Sequence, residues 1–330
     1  MNIIKKLKKA NLKGRGGAGF PTWLKWDMTK KAKGKYKYVV CNAAEGEPGV
    51  LKDKYILEHY PKRVIDGMMI AIDFLKAREG IIYINLDYYK IFRKNLEKIT
   101  KNKPIKLFCK PSSAGYIGGE ETSVLNAVEG KRIEPRLRPP FPPQVGLWGM
   151  PTLVNNVETF YDVSLIANDE YKHTRFYTIG GDCLWDGVYE FSEDWTIEKI
   201  LRESKNYPDF DFFVQVGGDA SGEVLNSSQL DRPASGAASI TIYSLLKHKP
   251  INLLKRWINF FFYHSCGQCT ACREGTYRLK EAIYSPHPDI NLIYDLVDNL
   301  SESSFCGLGG AVPIPIKSYL KNVLKGSFNI

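Results

Sequence analysis

No run approaching the roughly 20 apolar residues that a bilayer-spanning helix needs occurs in this chain of 330 residues. The longest apolar stretch, Trp257–Tyr263, is short and interrupted by Asn259, so no direct membrane insertion is expected. The opening MNIIKKLKKANLK lacks both an apolar h-region and a small-residue cleavage site. No signal peptide is expected, and a cytoplasmic location follows. Internal repeats and low-complexity tracts are also missing, which excludes solenoid and disordered-tract architectures. Acidic residues are outnumbered, 36 to 46, giving a formal net charge of +10. That charge invites a nucleic-acid reading, but zinc-finger spacing, an RNP motif and basic-region heptads are lacking. The lysines are instead scattered among Ile, Asn and Tyr, as a compositional bias facing an acidic partner surface would have them.

What remains is an ordinary globular composition, 44% apolar and 25% charged, long enough for two or three domains. The first third alternates strand-like and helix-like segments. Tyr36–Cys41, Gly80–Leu86 and Pro104–Cys109 read as strands, and Pro61–Ala77, Tyr88–Ile99 and Gly118–Glu129 as helices. Strands separated by helices of this length imply a parallel sheet covered on both faces. Pro135–Pro151 is too rich in Pro, Gly and Arg for a helix, and a helix is expected over Thr152–Ala167. From Arg175 to Leu246 the texture is that of a small α+β module. Its strands are Arg175–Gly181, Gly187–Phe191, Phe212–Gly218 and Ser239–Leu245, with one helix at Ile197–Glu203. Beyond Ile251 the pattern is helical, over Leu253–Tyr263, Arg273–Ile283, Ile290–Ser301 and Lys317–Leu324.

Seven cysteines, an odd number in a chain without a signal peptide, argue against a disulfide framework. Cys41, Cys109 and Cys183 stand alone and read as small buried residues. The other four form a C-x2-C-x2-C…C pattern: Cys266, Cys269 and Cys272, then Cys306 after 33 intervening residues. Thiolates are soft ligands suited to iron–sulfur clusters or zinc. Three tightly spaced cysteines and one remote one resemble cubane-cluster spacing more than the paired ligands of a zinc ribbon. A zinc staple is the alternative. His264 reads as a neighbour of this centre, not as a ligand.

Gly14-Arg-Gly16-Gly-Ala-Gly19 satisfies G-x-G-x-x-G, but a Lys-rich helical segment precedes it where a dinucleotide fingerprint needs a strand. It therefore reads as a backbone-rich loop able to approach a phosphate or a flat ring, or as a simple glycine hinge.

Five segments in order alter that balance: GRGGAGFPTWLKW from Gly14, NAAEGEPGVLKDK from Asn42, GYIGGEETSVLNAVEG from Gly115, PRLRPPFPPQVGLWGMPTLVNNVE from Pro135 and SCGQCTACREGT from Ser265. Together they resemble the flavoprotein subunit of respiratory complex I and the related diaphorase subunits of NAD-linked hydrogenases and formate dehydrogenases. The resemblance runs from about Leu12 to about Leu320.

It implies an α/β FMN-binding domain (1–170), a small α+β domain of the β-grasp, soluble-ligand-binding type (171–250) and an all-α helical bundle (251–330) carrying a [4Fe–4S] cluster. By that resemblance, the backbone at Gly14, Gly16 and Gly17 cradles FMN, with Lys25 near its polar groups. Asn42, Tyr116, Gly119, Glu120, Asn155, Asn156 and Thr159 complete the flavin site. NADH stacks against Phe20 and Phe141, beside Glu47, Glu121 and Arg138, and the two glutamates are the reaction's positioning residues. The acidic side chains favour NAD over NADP. Each also has a bland reading: Glu120 and Glu121 as complements of a helix N-terminus, Asn155 and Asn156 as caps, Phe20 and Phe141 as core.

The implied activity is NADH:acceptor oxidoreduction, with electrons passing to a thioredoxin-like [2Fe–2S] subunit and further Fe–S subunits of a redox complex. Several positions depart from the family pattern. Ala44 stands for a usual Asp, Met28 for a stacking aromatic ring, Trp23 for a Gly, Gly118 for a Cys, His264 for a Glu and Arg138 for a Lys. Ala44 and Met28 motivate the alternative, a flavin-less Fe–S relay.

Overall fold

The computed structural model describes residues 2–325. The chain packs as two compact units: one formed by the stretch ending at Gly46 together with Leu51–Phe176, the other by Glu47–Val50 together with the described residues from Tyr177 on.

The first unit begins with α1 (Ile3–Lys9) and α2 (Thr22–Lys31) and is built on a parallel sheet. Strand β1 is Tyr38–Ala43, followed by α3 (Lys52–His59) and α4 (Pro61–Leu75); β2 is Glu79–Ile84, then α5 (Leu86–Thr100); β3 is Ile105–Cys109, then α6 (Glu121–Val128); β4 is Thr152–Asn156, then α7 (Val157–Ala167). The sheet order is β3-β2-β1-β4 and every pairing is parallel. As the alternation of strands and helices suggests, both faces are covered. Tyr38, Val40, Ile81, Tyr83 and Val154 pack under Val124 and Leu125 of α6 on one side. On the other, α4 and α7 lie against β1. Their backbones approach closely because Gly67 has no side chain: a Cβ there would lie 1.9 Å from the Phe160 carbonyl oxygen.

Three expectations need correction. Thr152–Asn156 is a strand, not the first turn of a helix; it pairs with β1 from Tyr38↔Thr152 to Asn42↔Asn156. Buried on both faces, TLVNN offers no period-2 alternation to separate it from the apolar helix that follows. The helix expected from Gly118 starts only at Glu121, after a 3₁₀ turn at Ile117–Gly119. Helix α3 is additional, because its opening Lys-Asp-Lys reads as a solvated loop.

The second unit holds β5 (Thr174–Gly181), β6 (Gly187–Ser192), α8 (Ile197–Glu203), β7 (Phe212–Val216), β8 (Glu223–Asn226) and β9 (Ser239–Ser244). Their order is β6-β5-β9-β7-β8, with β5 parallel to β9 and β7 antiparallel to both β9 and β8. Ile197, Ile200 and Leu201 of α8 fill the core beneath the sheet. The short strand β8 is not evident from the sequence. Five helices follow: α9 (Pro250–His264), α10 (Thr270–Tyr284), α11 (Ile290–Ser303), α12 (Gly307–Ala311) and α13 (Pro313–Asn322). Helix α13 seats on β8, where Ser318 accepts the Val224 N–H (2.8 Å) and the Asn322 amide donates to the Val224 carbonyl (2.7 Å). The bundle is tied to the sheet by Trp257, whose indole N–H donates to Gln215 Oε1 (3.2 Å). No helix among the described residues is long and apolar enough to cross a membrane.

Candidate functional site

In the first unit the strand order reverses between β1 and β4. In an open α/β sheet the crevice outside the carboxyl ends of two such strands is where ligands bind. Asn42, next to last in β1, stands in register with Asn156 at the end of β4. The glycine loop is drawn to the same edge. Its neck is closed by the Gly14 N–H donating to the Phe20 carbonyl (2.9 Å) and by a bridge between Lys13 and Pro21. The Arg15 N–H donates to Thr159 Oγ1 (2.9 Å), and the Arg15 guanidinium, 5% exposed, pairs with Asp162 (3.0 Å). Gly16 rests on Asn156, 3.4 Å from its Cβ to a Cβ built on the glycine, whereas Gly17 faces open space at φ 106°. Only glycine holds that conformation cheaply.

Asn156 caps α7, accepting the Glu158 N–H (3.0 Å), so the positive end of that helix opens beside the glycine loop. Asn155 is buried, and its side-chain oxygen finds no donor among the described residues. Asn42 donates to the Gly119 carbonyl (2.8 Å), binding the Tyr116–Gly119 turn to the end of β1. Glu120 caps α6 through the Thr122 and Ser123 N–H groups, both 2.9 Å, and also pairs with Arg138. Glu121 takes Lys25 (2.7 Å) and lies 3.5 Å from Arg138. Lys25, Glu120, Glu121 and Arg138 thus form one charged rim. Phe20 and Phe141 are each 43% exposed, which rules out a core role and leaves both rings free to stack. Thr159 is fully buried, and its hydroxyl accepts the Arg15 N–H, which positions the loop. Trp23 lies under the Lys8 ammonium, 4.9 Å from its ring centre. Glu47 belongs to the second unit, where its carboxylate accepts the Ala220 (3.1 Å) and Ser221 (2.9 Å) N–H groups.

Behind the loop lies a buried ionic network that sequence reasoning does not reveal. Lys52 contacts Asp53 (2.5 Å), Glu158 (3.2 Å) and Asn156 (3.0 Å), all with little or no exposure except the half-buried asparagine. The Asn156 amide in turn donates to Asp53 (2.6 Å). Glu45, just past β1, accepts from the Asp53 N–H (2.8 Å) and the Tyr88 hydroxyl (2.7 Å). Burial, reinforced by Asp53, pushes the Glu45 carboxyl up to about 8. Most of these residues lie inside the quoted motifs, but charged letters in a loop give no sign of burial.

In the second unit the four cysteines come together. Cys269 immediately precedes α10 and Cys306 immediately precedes α12. Gly309 lets the two elements approach, since a Cβ on it would lie 3.2 Å from Cys272 Cβ and 2.3 Å from Ser304 Oγ. Burial pushes the Cys272 thiol up to about 11; the Ser265 hydroxyl at 3.4 Å works against this, and the three other thiols add to it. Burial likewise raises Cys306, opposed by the Leu308 and Gly309 N–H groups. Among the described residues no three His, Cys, Asp or Glu side chains close around a single metal ion.

Comparison with known proteins agrees. Residues 7–165 match the Nuo51 FMN-binding domain and residues 252–325 the NADH-ubiquinone oxidoreductase-F iron–sulfur binding region. The chain is 32% identical to an NADH-quinone oxidoreductase subunit of Streptomyces coelicolor, over 97% of this chain and 81% of that one. It is 32% identical to the NAD-reducing hydrogenase HoxS subunit alpha of Cupriavidus necator, over 97% of this chain but 59% of that subunit. A crystal structure of NAD+-reducing [NiFe]-hydrogenase in the H2-reduced state superposes with a TM-score of 0.88 at 28% identity; the match covers 98% of this chain and 61% of the hydrogenase chain. The chain belongs to the family of NADH-quinone oxidoreductase subunits built on the Nuo51 FMN-binding domain, whose cofactors are FMN and a [4Fe–4S] cluster.

Proposed function

We propose that this chain is the NADH-oxidising subunit of a larger redox complex, passing a hydride between NAD(H) and FMN and single electrons through its cluster to a partner. The observation that carries this reading is the crevice between β1 and β4, where the glycine loop, the α7 N-terminus and the orphaned Asn155 oxygen meet. The fit to FMN is good: a buried acceptor without a donor suits a ligand rich in hydroxyl and N–H groups, and helix N-termini suit a phosphate.

When bound, the flavin supplies the exchange between hydride and one-electron chemistry, and the cluster supplies the relay. The chain's own residues align and hold. Gly14, Gly16 and Gly17 admit the cofactor to backbone distance, and Asn42, Tyr116, Gly119, Asn155 and Asn156 line its site. Phe20 and Phe141 offer faces to the nucleotide's rings. Arg138 supplies positive charge for the nucleotide's phosphates, and Glu121 supplies an acceptor for ribose hydroxyls and disfavours a 2′-phosphate; Lys25 and Glu120 serve the flavin site. Cys266, Cys269, Cys272 and Cys306 ligate the cluster. Three domains follow, the flavin domain (1–170), a β-grasp domain (171–250) and the cluster bundle (251–330). The strand order β6-β5-β9-β7-β8 over one helix supports the middle assignment. The expected partners are a thioredoxin-like [2Fe–2S] subunit and further Fe–S subunits, leading to a quinone, hydrogenase or formate dehydrogenase module. The location is cytoplasmic, peripheral to a membrane through the complex.

Anaerobic purification with FMN and iron analysis tests this directly. About one FMN and about four irons per chain, with flavin bleaching by NADH but not NADPH, is the expected result. About four irons with no flavin, even after FMN is supplied, would overturn it in favour of an Fe–S relay.

Thr159→Val should weaken FMN binding about ten-fold, because the buried Arg15 N–H then loses its acceptor, a penalty of about 1–3 kcal/mol. Thr159→Ser keeps the hydroxyl and should bind as the wild type does. Quenching of FMN fluorescence on binding measures both, and equal affinity for all three chains would show that the loop holds without this anchor.

A further inference from the structure

Lys110 follows β3 at the carboxyl edge of the parallel sheet, its N–H bonded to the Ile84 carbonyl (2.7 Å). Its side chain runs along the turn that Asn42 binds. A Cβ built on Gly118 would lie 3.0 Å from Lys110 Cε and 3.5 Å from the Tyr83 hydroxyl. A Cβ on Gly46 would lie 3.9 Å from Lys110 Nζ, 3.6 Å from the Tyr116 ring and 3.5 Å from the Ala44 carbonyl oxygen. The amine therefore sits between two glycines, at the rim formed by the end of β1 and the Tyr116–Gly119 turn. Either glycine enlarged would crowd it. Unlike Lys25, which is neutralised by Glu121, Lys110 makes no ion pair among the described contacts. Burial, with no carboxylate opposing it, pushes its amine down to about 8. A cation kept half-buried without a counter-charge is costly, and such a group is commonly matched to a charge that arrives with a ligand.

The geometry points to Lys110 as a flavin-positioning residue that supplies positive charge at the rim of the isoalloxazine site and raises the flavin's reduction potential. This rests on FMN occupying the β1–β4 crevice. A hydride carries two electrons and one proton, so the ring gains a net negative charge on reduction unless a second proton arrives from water. An ammonium at the rim stabilises that charge and has far less to offer the neutral oxidised ring. Charge near the ring is one of the protein's levers on a bound flavin.

The test is a spectroelectrochemical titration of the FMN-loaded chain at pH 7, followed at the flavin band. Lys110→Met and Lys110→Gln, two neutral variants in case one folds poorly, should each hold reduced flavin about ten-fold less tightly relative to oxidised flavin. That is a drop of about 30 mV for a two-electron couple. Lys110→Arg, which keeps the charge, should recover most of it, as a merely structural role would not require. An unchanged potential in flavin-loaded neutral variants overturns the role of Lys110 and leaves the flavin site standing. A wild-type chain that takes up no FMN overturns the site reading, and this inference with it.

Discussion

Lys52→Met is expected to destabilise the first unit by about 3–5 kcal/mol, the usual cost of stranding buried charge by removing one partner. Lys52 is 2% exposed and holds Asp53 and Glu158, themselves 2% and 0% exposed. Methionine fills much the same volume, so the loss is electrostatic. Burial opposes the charged amine, but Asp53, Glu158 and Glu45 outweigh it and raise its pKa. Burial also opposes the Glu158 carboxylate, and Lys52, Arg175 and Arg15 outweigh that and hold its pKa below the usual range. The signs follow by linkage. The lysine's contribution is complete below its unfolded value near 10.4 and is lost as pH rises through the folded one. That of Glu158 is present above about 4.3 and is lost as pH falls through its folded value. Because the Glu45 carboxyl, raised to about 8, titrates between them, the deficit of the variant is to be compared at one fixed pH. Urea unfolding at pH 7 measures it, and Asp53→Asn in the Lys52→Met background should recover part of it. A loss under about 1 kcal/mol would mean that the network discharges by protonation instead. Because Lys52 also touches the Asn156 cap, the variant should lose FMN as well.

Cys272→Ser and Cys306→Ser should each bring iron from about four per chain to near zero while the flavin still bleaches with NADH. The residues proposed to hold the flavin and those proposed to hold the cluster lie in different units, so losing one centre leaves the ligands of the other intact. Of the proposed ligands, Cys272 is the harder to replace. It is buried, and its thiol, raised to about 11, gives up a proton only in exchange for a metal. A serine alkoxide is harder and far more basic than a thiolate and suits iron–sulfur ligation poorly. Electron delivery to a one-electron partner should therefore disappear, whereas direct reduction of the flavin continues. Iron retained at the wild-type level in both variants would remove these two residues from the ligand set.

The grouping of the four cysteines is legible in the sequence because three of them are local: two-residue gaps constrain where thiols can point, whatever the rest of the chain does. The α/β alternation is legible for a similar reason, since α4 and α5 each carry an apolar stripe on a helical period. Strand β4 is not, because a strand buried on both faces has no alternation to display. Nor is the split role of neighbours such as Asn155 and Thr159, one with an orphaned oxygen and the other locked under the glycine loop. Which of two nearby polar residues faces a crevice depends on β4 pairing with β1, a contact between positions more than a hundred residues apart. Lys52, Asp53 and Glu158 are hidden most completely, because each reads as a surface charge while the three neutralise one another in the interior.

The seating of α13 on β8 has a consequence for the open edge of that sheet. Strand β8 is the last in its sheet, and an uncovered edge is adhesive toward other chains. Its guard, α13, follows α12 after a single residue, and α12 is immediately preceded by Cys306, one of the four gathered cysteines. The proposed cluster ligand Cys306 and the protection of the sheet thus share one short rod of helix. Were α13 to leave that edge, the Val224 backbone groups that Ser318 and Asn322 cover would be open to pairing with another chain.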